Sequence, residues 1–220
     1  MRDVRYTRVA IILHWVIAAF IQFNLALGFF MEDLPPPLRF LVLPLHISGG
    51  MTVLLLSVMR ILWRLIHRPP EHEPPLSLRE GIAARFVHLM LYAGMLLMPL
   101  SGWAILSAHP APGTAGFAAE QAALLQPPAG ANAGLARKPG PGGIRIWWAM
   151  PLPALAPIQK IGSTPGGLVP QKEVHEELVA AHGLGGWIMI ALLALHIGAA
   201  LKHQWVDKSP ELRRISLRTS

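Results

Sequence analysis

Four stretches of this chain, residues 9–31, 40–66, 82–108 and 178–201, are apolar over more than the about 20 helical residues needed to cross a hydrocarbon core of about 30 Å. Few chains with four such stretches stay in water. Of 220 residues 53% are hydrophobic and only 14% charged, which is a membrane composition. The first stretch is too long for the apolar core of a cleaved export signal and lacks a small-residue cleavage pattern after Phe29, Phe30 and Met31, so it is expected to stay as a helix.

Charge placement gives the expected topology. Arg2, Arg5 and Arg8 precede the first stretch. Arg60, Arg64, Arg68, Arg79 and Arg85 surround the link between the second and third, and Lys202, Lys208, Arg213, Arg214 and Arg218 follow the end of the fourth. By the positive-inside rule these three groups face the cytoplasm, which places both termini there. The expected fold is therefore an all-α membrane protein, a four-transmembrane-helix up-down bundle, forming one domain over residues 1–220. The net charge of +7 does not point to nucleic acid, because no basic run carries interleaved aromatics.

Prolines break the helices cleanly: Pro35 to Pro37 in the first hairpin, and Pro69, Pro70, Pro74 and Pro75 in the second. Residues 109–143 are rich in Pro, Gly and Ala, and read as a mobile insertion outside the membrane. Residues 144–161 contain Trp147 and Trp148, a pair suited to the headgroup layer, so this segment is expected to lie along the membrane surface.

Histidines are the chemically informative residues. His182 and His196 are fourteen apart in the last stretch, nearly four helical turns, which is about 21 Å along the axis and about 40° around it. Ionisable groups inside a membrane helix usually face the bundle interior and carry function. Sorted by depth, His14 shares a cytoplasmic plane with His196, and His46 shares an outer plane with His182. Such pairs suit the two faces of two flat macrocycles stacked through the bilayer, and two imidazoles per iron favour electron transfer over ligand binding at the metal. The chain has no cysteine, so any haem is held without thioether links. A zinc or proton-relay cluster would bring its ligands together rather than split them between planes.

Arg60, fourteen residues after His46, is placed to hold a haem propionate or simply to set topology. His88 and His203 supply polar groups on the cytoplasmic side, where a quinone accepting electrons and protons would need them, and His88 is also an alternative to His14 as a ligand. His175, seven residues before His182 on the same face, is the alternative outer ligand. His67, His72 and His109 are expected to be solvated in loops. Gly28, Gly49, Gly50, Gly183, Gly185 and Gly186 lie near these positions, suited either to a flat cofactor or to close helix packing.

The motifs RxxxxLHW around His14, PLHISGG with Arg60 and Arg64 downstream, VHLMLYAGMLLMPLSGW around His88 and LHIGAALKHQW followed by VDKSP together cover the membrane part of the chain. In these the sequence resembles the bacterial cytochrome b561 family, four-helix dihaem proteins that include superoxide:ubiquinone oxidoreductase. The resemblance implies two non-covalent haem b groups, one on His14 and His196 and one on His46 and His182. It also implies electron transfer from an outer donor, superoxide for preference, to ubiquinone in the bacterial inner membrane. The alternative is a cytochrome b subunit serving a dehydrogenase or hydrogenase. Two departures stand out: the HE pair of the family's fourth helix falls at His175 although the spacing selects His182, and the Pro/Gly insertion is unusual. Arg137, Lys138, Arg145, Lys160 and Lys172 lie in or near that insertion, where they could steer an anionic donor.

Overall fold

The computed structural model describes residues 6–31, 33–67, 77–125, 145–208 and 214–216. Four long helices dominate it: α1 (Arg8–Phe30), α2 (Pro36–Ile66), α3 (Leu78–Ser107) and α6 (Leu168–Trp205). All four are long and apolar enough to cross a membrane. Between α3 and α6 lie α4 (Ala115–Leu125), a two-strand hairpin of β1 (Arg145–Ile146) and β2 (Met150–Pro151), the single turn α5 (Ala156–Gln159) and two short 3₁₀ turns. The strands pair antiparallel, Ile146 opposite Met150.

Local chemistry sets the helix starts. Thr7 caps α1 by accepting from the Ala10 N–H, and Ser77 with Glu80 forms a reciprocal capping box on α3. Proline opens α2, where a missing N–H costs nothing.

The interior is inverted relative to a water-soluble protein. The most deeply buried side chains are those of Ser48, Ser57 and Ser107, while Leu55, Leu97 and Leu195 are each more than 60% exposed. Apolar atoms on the outside are what a lipid solvent selects. A smaller apolar cluster of Ile17, Ile21, Val53, Leu91, Met95 and Met189 ties the four long helices at mid-length.

Packing is uneven. α1 runs against α2, α2 against α3 and α3 against α6, whereas α6 makes no comparable backbone packing with α1 or α2 among the described residues. The α3 to α6 contact depends on two glycines that each receive a methionine from the facing helix: Met189 fills the place of a side chain at Gly94, and Met98 does the same at Gly185. Gly94→Leu or Gly185→Leu is expected to destabilise this pair by about 1–3 kcal/mol through overpacking. Thermal unfolding of the detergent-solubilised protein would show it as a lowered midpoint; an unchanged midpoint in both variants would refute the reciprocal fit.

One feature differs from the expectations above. Part of the 109–143 insertion is ordered: α4 forms on AGFAAEQAALL, a segment whose alanines and leucines favour helix despite its Pro/Gly-rich flanks. Residues 126–144, which include Arg137 and Lys138, lie outside the described residues. The Trp147 segment packs against α1 and α2. The Trp147 backbone N–H donates to Ser48 Oγ at 2.8 Å, its indole N–H donates to Thr52 Oγ1 at 3.1 Å, and its ring meets Phe20 edge-on. Thr52 is six residues past His46, so the hairpin tip reaches about 9 Å along α2 from that histidine. Trp147 and Trp148 both have positive φ, at 49° and 58°, so the turn is bent to make this reach.

Tyr6 and Trp15 meet residues 214–215 at the His14 end of the bundle. The Tyr6 N–H donates to the Arg214 carbonyl, the Arg214 guanidinium lies over the Tyr6 ring, and the Trp15 indole donates to the Ile215 carbonyl at 2.9 Å.

Candidate functional site

The four histidines singled out by spacing meet in two pairs. His14 on α1 faces His196 on α6 with ring centres 6.2 Å apart and planes at 74°. His46 on α2 faces His182 on α6 with ring centres 6.1 Å apart and planes at 78°. The near identity of the two arrangements is informative, because different helices build them.

The separations match a simple construction. With metal–nitrogen bonds of about 2 Å and about 1 Å from nitrogen to ring centre, two imidazoles on opposite faces of a metal have centres about 6 Å apart. The helices bearing each facing pair, α1 with α6 and α2 with α6, do not pack closely on each other. Both observations fit a planar macrocycle held at each level.

Hydrogen bonds fix which nitrogen would be available. The His46 Nδ1–H donates to the Asn24 carbonyl at 3.1 Å, since a carbonyl can only accept. On His182, Nδ1 lies 2.8 Å from the Ser101 hydroxyl, which itself donates to the Met98 carbonyl and so accepts from the imidazole. Each ring therefore presents Nε2 with its lone pair, the usual outer-shell arrangement for a ligating histidine. Ser101 is close to Pro99 inside α3.

Small residues flank the same rings. A Cβ added at Gly28 would stand 3.1 Å from the His46 ring, and one at Gly102 would stand 3.4 Å from the His182 ring. By contrast Gly49 and Gly50 face Asn24, Gly186 faces Phe29, and nothing lies near Gly183. Of the glycines expected near a cofactor, only Gly28 thus borders a histidine of either pair; the glycines at 49, 50, 185 and 186 serve packing.

The other candidates fall into place around the His14 and His196 pair. His88 stands beside His196 with ring centres 5.1 Å apart, and its Nδ1–H donates to the Ala84 carbonyl at 2.7 Å. Arg60 donates from Nε to the Tyr92 hydroxyl and from Nη1 to the Ala10 carbonyl, both at 3.3 Å, so it clamps α2 to α3 and α1. These two bonds leave its Nη2 arm for another acceptor.

His203 belongs to a separate network. Its Nδ1 lies 2.7 Å from the Asp207 carboxylate, while Lys202 bridges Asp207 at 2.8 Å and Glu80 at 2.9 Å. The Lys202 ammonium, with His203 adding to it, holds the Asp207 carboxyl below the usual carboxylate range. Glu80, His203 and Asp207 come close enough to hold a metal ion, but the lysine ammonium already serves both carboxylates.

The remaining histidines are not simply solvated. His67 stacks on Trp63 at 4.0 Å between ring centres at the end of α2. His109 lies against His175, with ring centres 5.3 Å apart. His72 lies outside the described residues. Among the loop cations, Arg145 donates to the Ala149 carbonyl and Lys172 pairs with Glu176 at 3.6 Å, both exposed.

Sequence reasoning missed Asn24, Ser101, Gly102 and Tyr92. Their roles do not follow from local sequence, since each acts on a partner 22 to 81 positions away in the chain.

Four apolar helices that carry two stacked pairs of facing imidazoles, in a chain without cysteine, define a membrane electron-transfer protein of the b-type cytochrome class. The chain belongs to the prokaryotic cytochrome b561 family, whose model matches residues 5–216. It is 27% identical over 214 residues to cytochrome b561 homolog 2 of Escherichia coli (strain K12), covering 96% of this chain and 90% of that protein.

Proposed function

We propose that this chain is a dihaem cytochrome of the bacterial inner membrane, with both termini cytoplasmic, that transfers electrons from an outer donor, superoxide for preference, to ubiquinone. The observation that carries the dihaem reading is the pair of matched separations, 6.2 and 6.1 Å, built by two histidines fourteen residues apart on one helix and partners on two others. His14 and His196 hold the inner haem, and His46 and His182 the outer one. When bound, haem b supplies a reversible one-electron carrier at each level.

The protein's own groups do the rest. Asn24 and Ser101 hold the outer imidazoles in the tautomer that presents Nε2. Arg60, anchored by Tyr92 and Ala10, would offer its third nitrogen to a haem propionate. Cations of the outer segment, Arg137, Lys138, Arg145, Lys160 and Lys172, attract an anionic donor. At the inner end His88 and His203 hold the protons that a reduced quinone takes up, with Asp207 and Lys202 as the route from water. The overall reaction balances when two superoxide anions become two O₂ and one ubiquinone gains two electrons and two protons as ubiquinol.

A stopped-flow experiment tests this. Pulsed superoxide is expected to reduce the purified protein's haem bands, and a short-chain ubiquinone to reoxidise them. Failure of either step in isolation, with reduction recovered on adding a co-purifying dehydrogenase or hydrogenase, would assign the chain to the subunit role instead.

A further inference from the structure

His109, just past the end of α3, and His175, on α6, form a third pair that the two levels above leave unused. Their ring centres are 5.3 Å apart and their planes are tilted by 47°. The His175 Nδ1 is buried without a hydrogen-bond partner, so it has lost water and gained nothing in return. Buried polar atoms of this kind point to a ligand.

The separation differs from that of the other two pairs in a meaningful direction. By the construction used above, imidazoles on opposite faces of a metal have centres about 6 Å apart, whereas two at a tetrahedral angle have centres about 5 Å apart. His109 and His175 match the second case. They are therefore ill suited to the two faces of one macrocycle and well suited to neighbouring positions around a small ion.

Neighbouring side chains pin the backbone that carries each residue. Ser107, almost wholly buried, donates to the Trp103 carbonyl and accepts from the Leu155 N–H, which pins the end of α3. Gln171, one turn before His175 and 2% exposed, donates to the carbonyls of Ile158 and Gln159, which pins that turn of α6.

We propose that His109 and His175 bind one divalent transition-metal ion of the class that prefers imidazole nitrogen and tetrahedral coordination, zinc(II), with water completing its coordination; copper(II), which binds the same nitrogens, serves as the spectroscopic probe. The ion lies beyond His182 on the same stripe of α6, seven residues or about 10.5 Å along the helix. This site shares no ligand with the two histidine pairs, so it stands or falls separately from the dihaem reading.

The test uses the full-length, haem-loaded protein after treatment with a chelator. Copper(II) is titrated by electron paramagnetic resonance and by competition with a chromophoric chelator. One ion per chain with nitrogen hyperfine structure is expected. His109→Ala and His175→Ala should each weaken binding by more than the roughly tenfold that loss of an outer-shell partner costs. His67→Ala should leave it unchanged, and the haem Soret band, read in every sample, reports folding independently of copper. As a measurement without mutation, zinc(II) should protect His109 and His175 of the wild-type protein from acylation by diethylpyrocarbonate, mapped by mass spectrometry. Unchanged copper affinity in both alanine variants, or equal acylation with and without zinc, overturns the proposal.

Discussion

Replacing His182 with alanine is expected to halve the haem content of the protein, from two haems per chain to one by pyridine haemochrome, while His175→Ala keeps both. The reason lies in what each ring faces. His182 lies across from His46 at 6.1 Å and is oriented by Ser101, whereas His175, one heptad earlier on α6, lies across from His109. Without His182, His46 would have no counterpart to hold a haem at that level, and a chain without cysteine offers no thioether link in its place. The opposite outcome, haem lost with His175→Ala and kept with His182→Ala, would move the outer ligand up the helix and sink the assignment.

The second large effect concerns His14 and His88, both near His196. His14→Ala is expected to remove the other haem, leaving one per chain with the His46 and His182 pair intact. His88→Ala is expected to keep both haems and to slow reoxidation by quinone by about 10²- to 10⁴-fold, the usual contribution of a positioned proton donor. Two observations separate them. His88 lies only 5.1 Å from His196 between ring centres, closer than the matched pairs, and it sits on α3, which packs directly along α6 and leaves no slab between. Its Nδ1–H is committed to Ala84, so Nε2 is the atom that would face a quinone. Haem counts and single-turnover reoxidation on the two variants decide the matter; a haem lost from His88→Ala and kept in His14→Ala reverses the roles.

The four long helices were legible because twenty or more apolar residues in a row constrain the backbone more strongly than any local signal. Their ends were less so. α6 begins at Leu168, ten residues before the apolar run, because VPQKEVHEELVAA is rich in good helix formers although it is polar. Hydropathy measures the solvent, and helix propensity measures the backbone; they diverge wherever a helix leaves the membrane.

The pairing of His14 with His196 and of His46 with His182 was also legible, since depth in a helix follows from counting residues. What counting could not supply was anything that depends on lateral position. Ser101 reaches His182 across 81 residues, Trp147 reaches Ser48 across 99, and His109 meets His175 only because α3 and α6 are neighbours. The Pro/Gly character of the insertion hid α4 for a different reason: an average over 35 residues conceals an alanine-rich stretch of eleven.

α6 carries one histidine of each pair on a single unbroken helix. The distance between the two levels is thus set by hydrogen-bonded helical rise and not by how neighbouring helices happen to settle. Loosening the bundle can weaken either pair, yet it cannot change their spacing. The thirteen residues between His182 and His196 are accordingly constrained in number far more than in kind. One residue added among them would turn the two imidazoles about 100° apart, so natural variants of this stretch should exchange one side chain for another while never gaining or losing one.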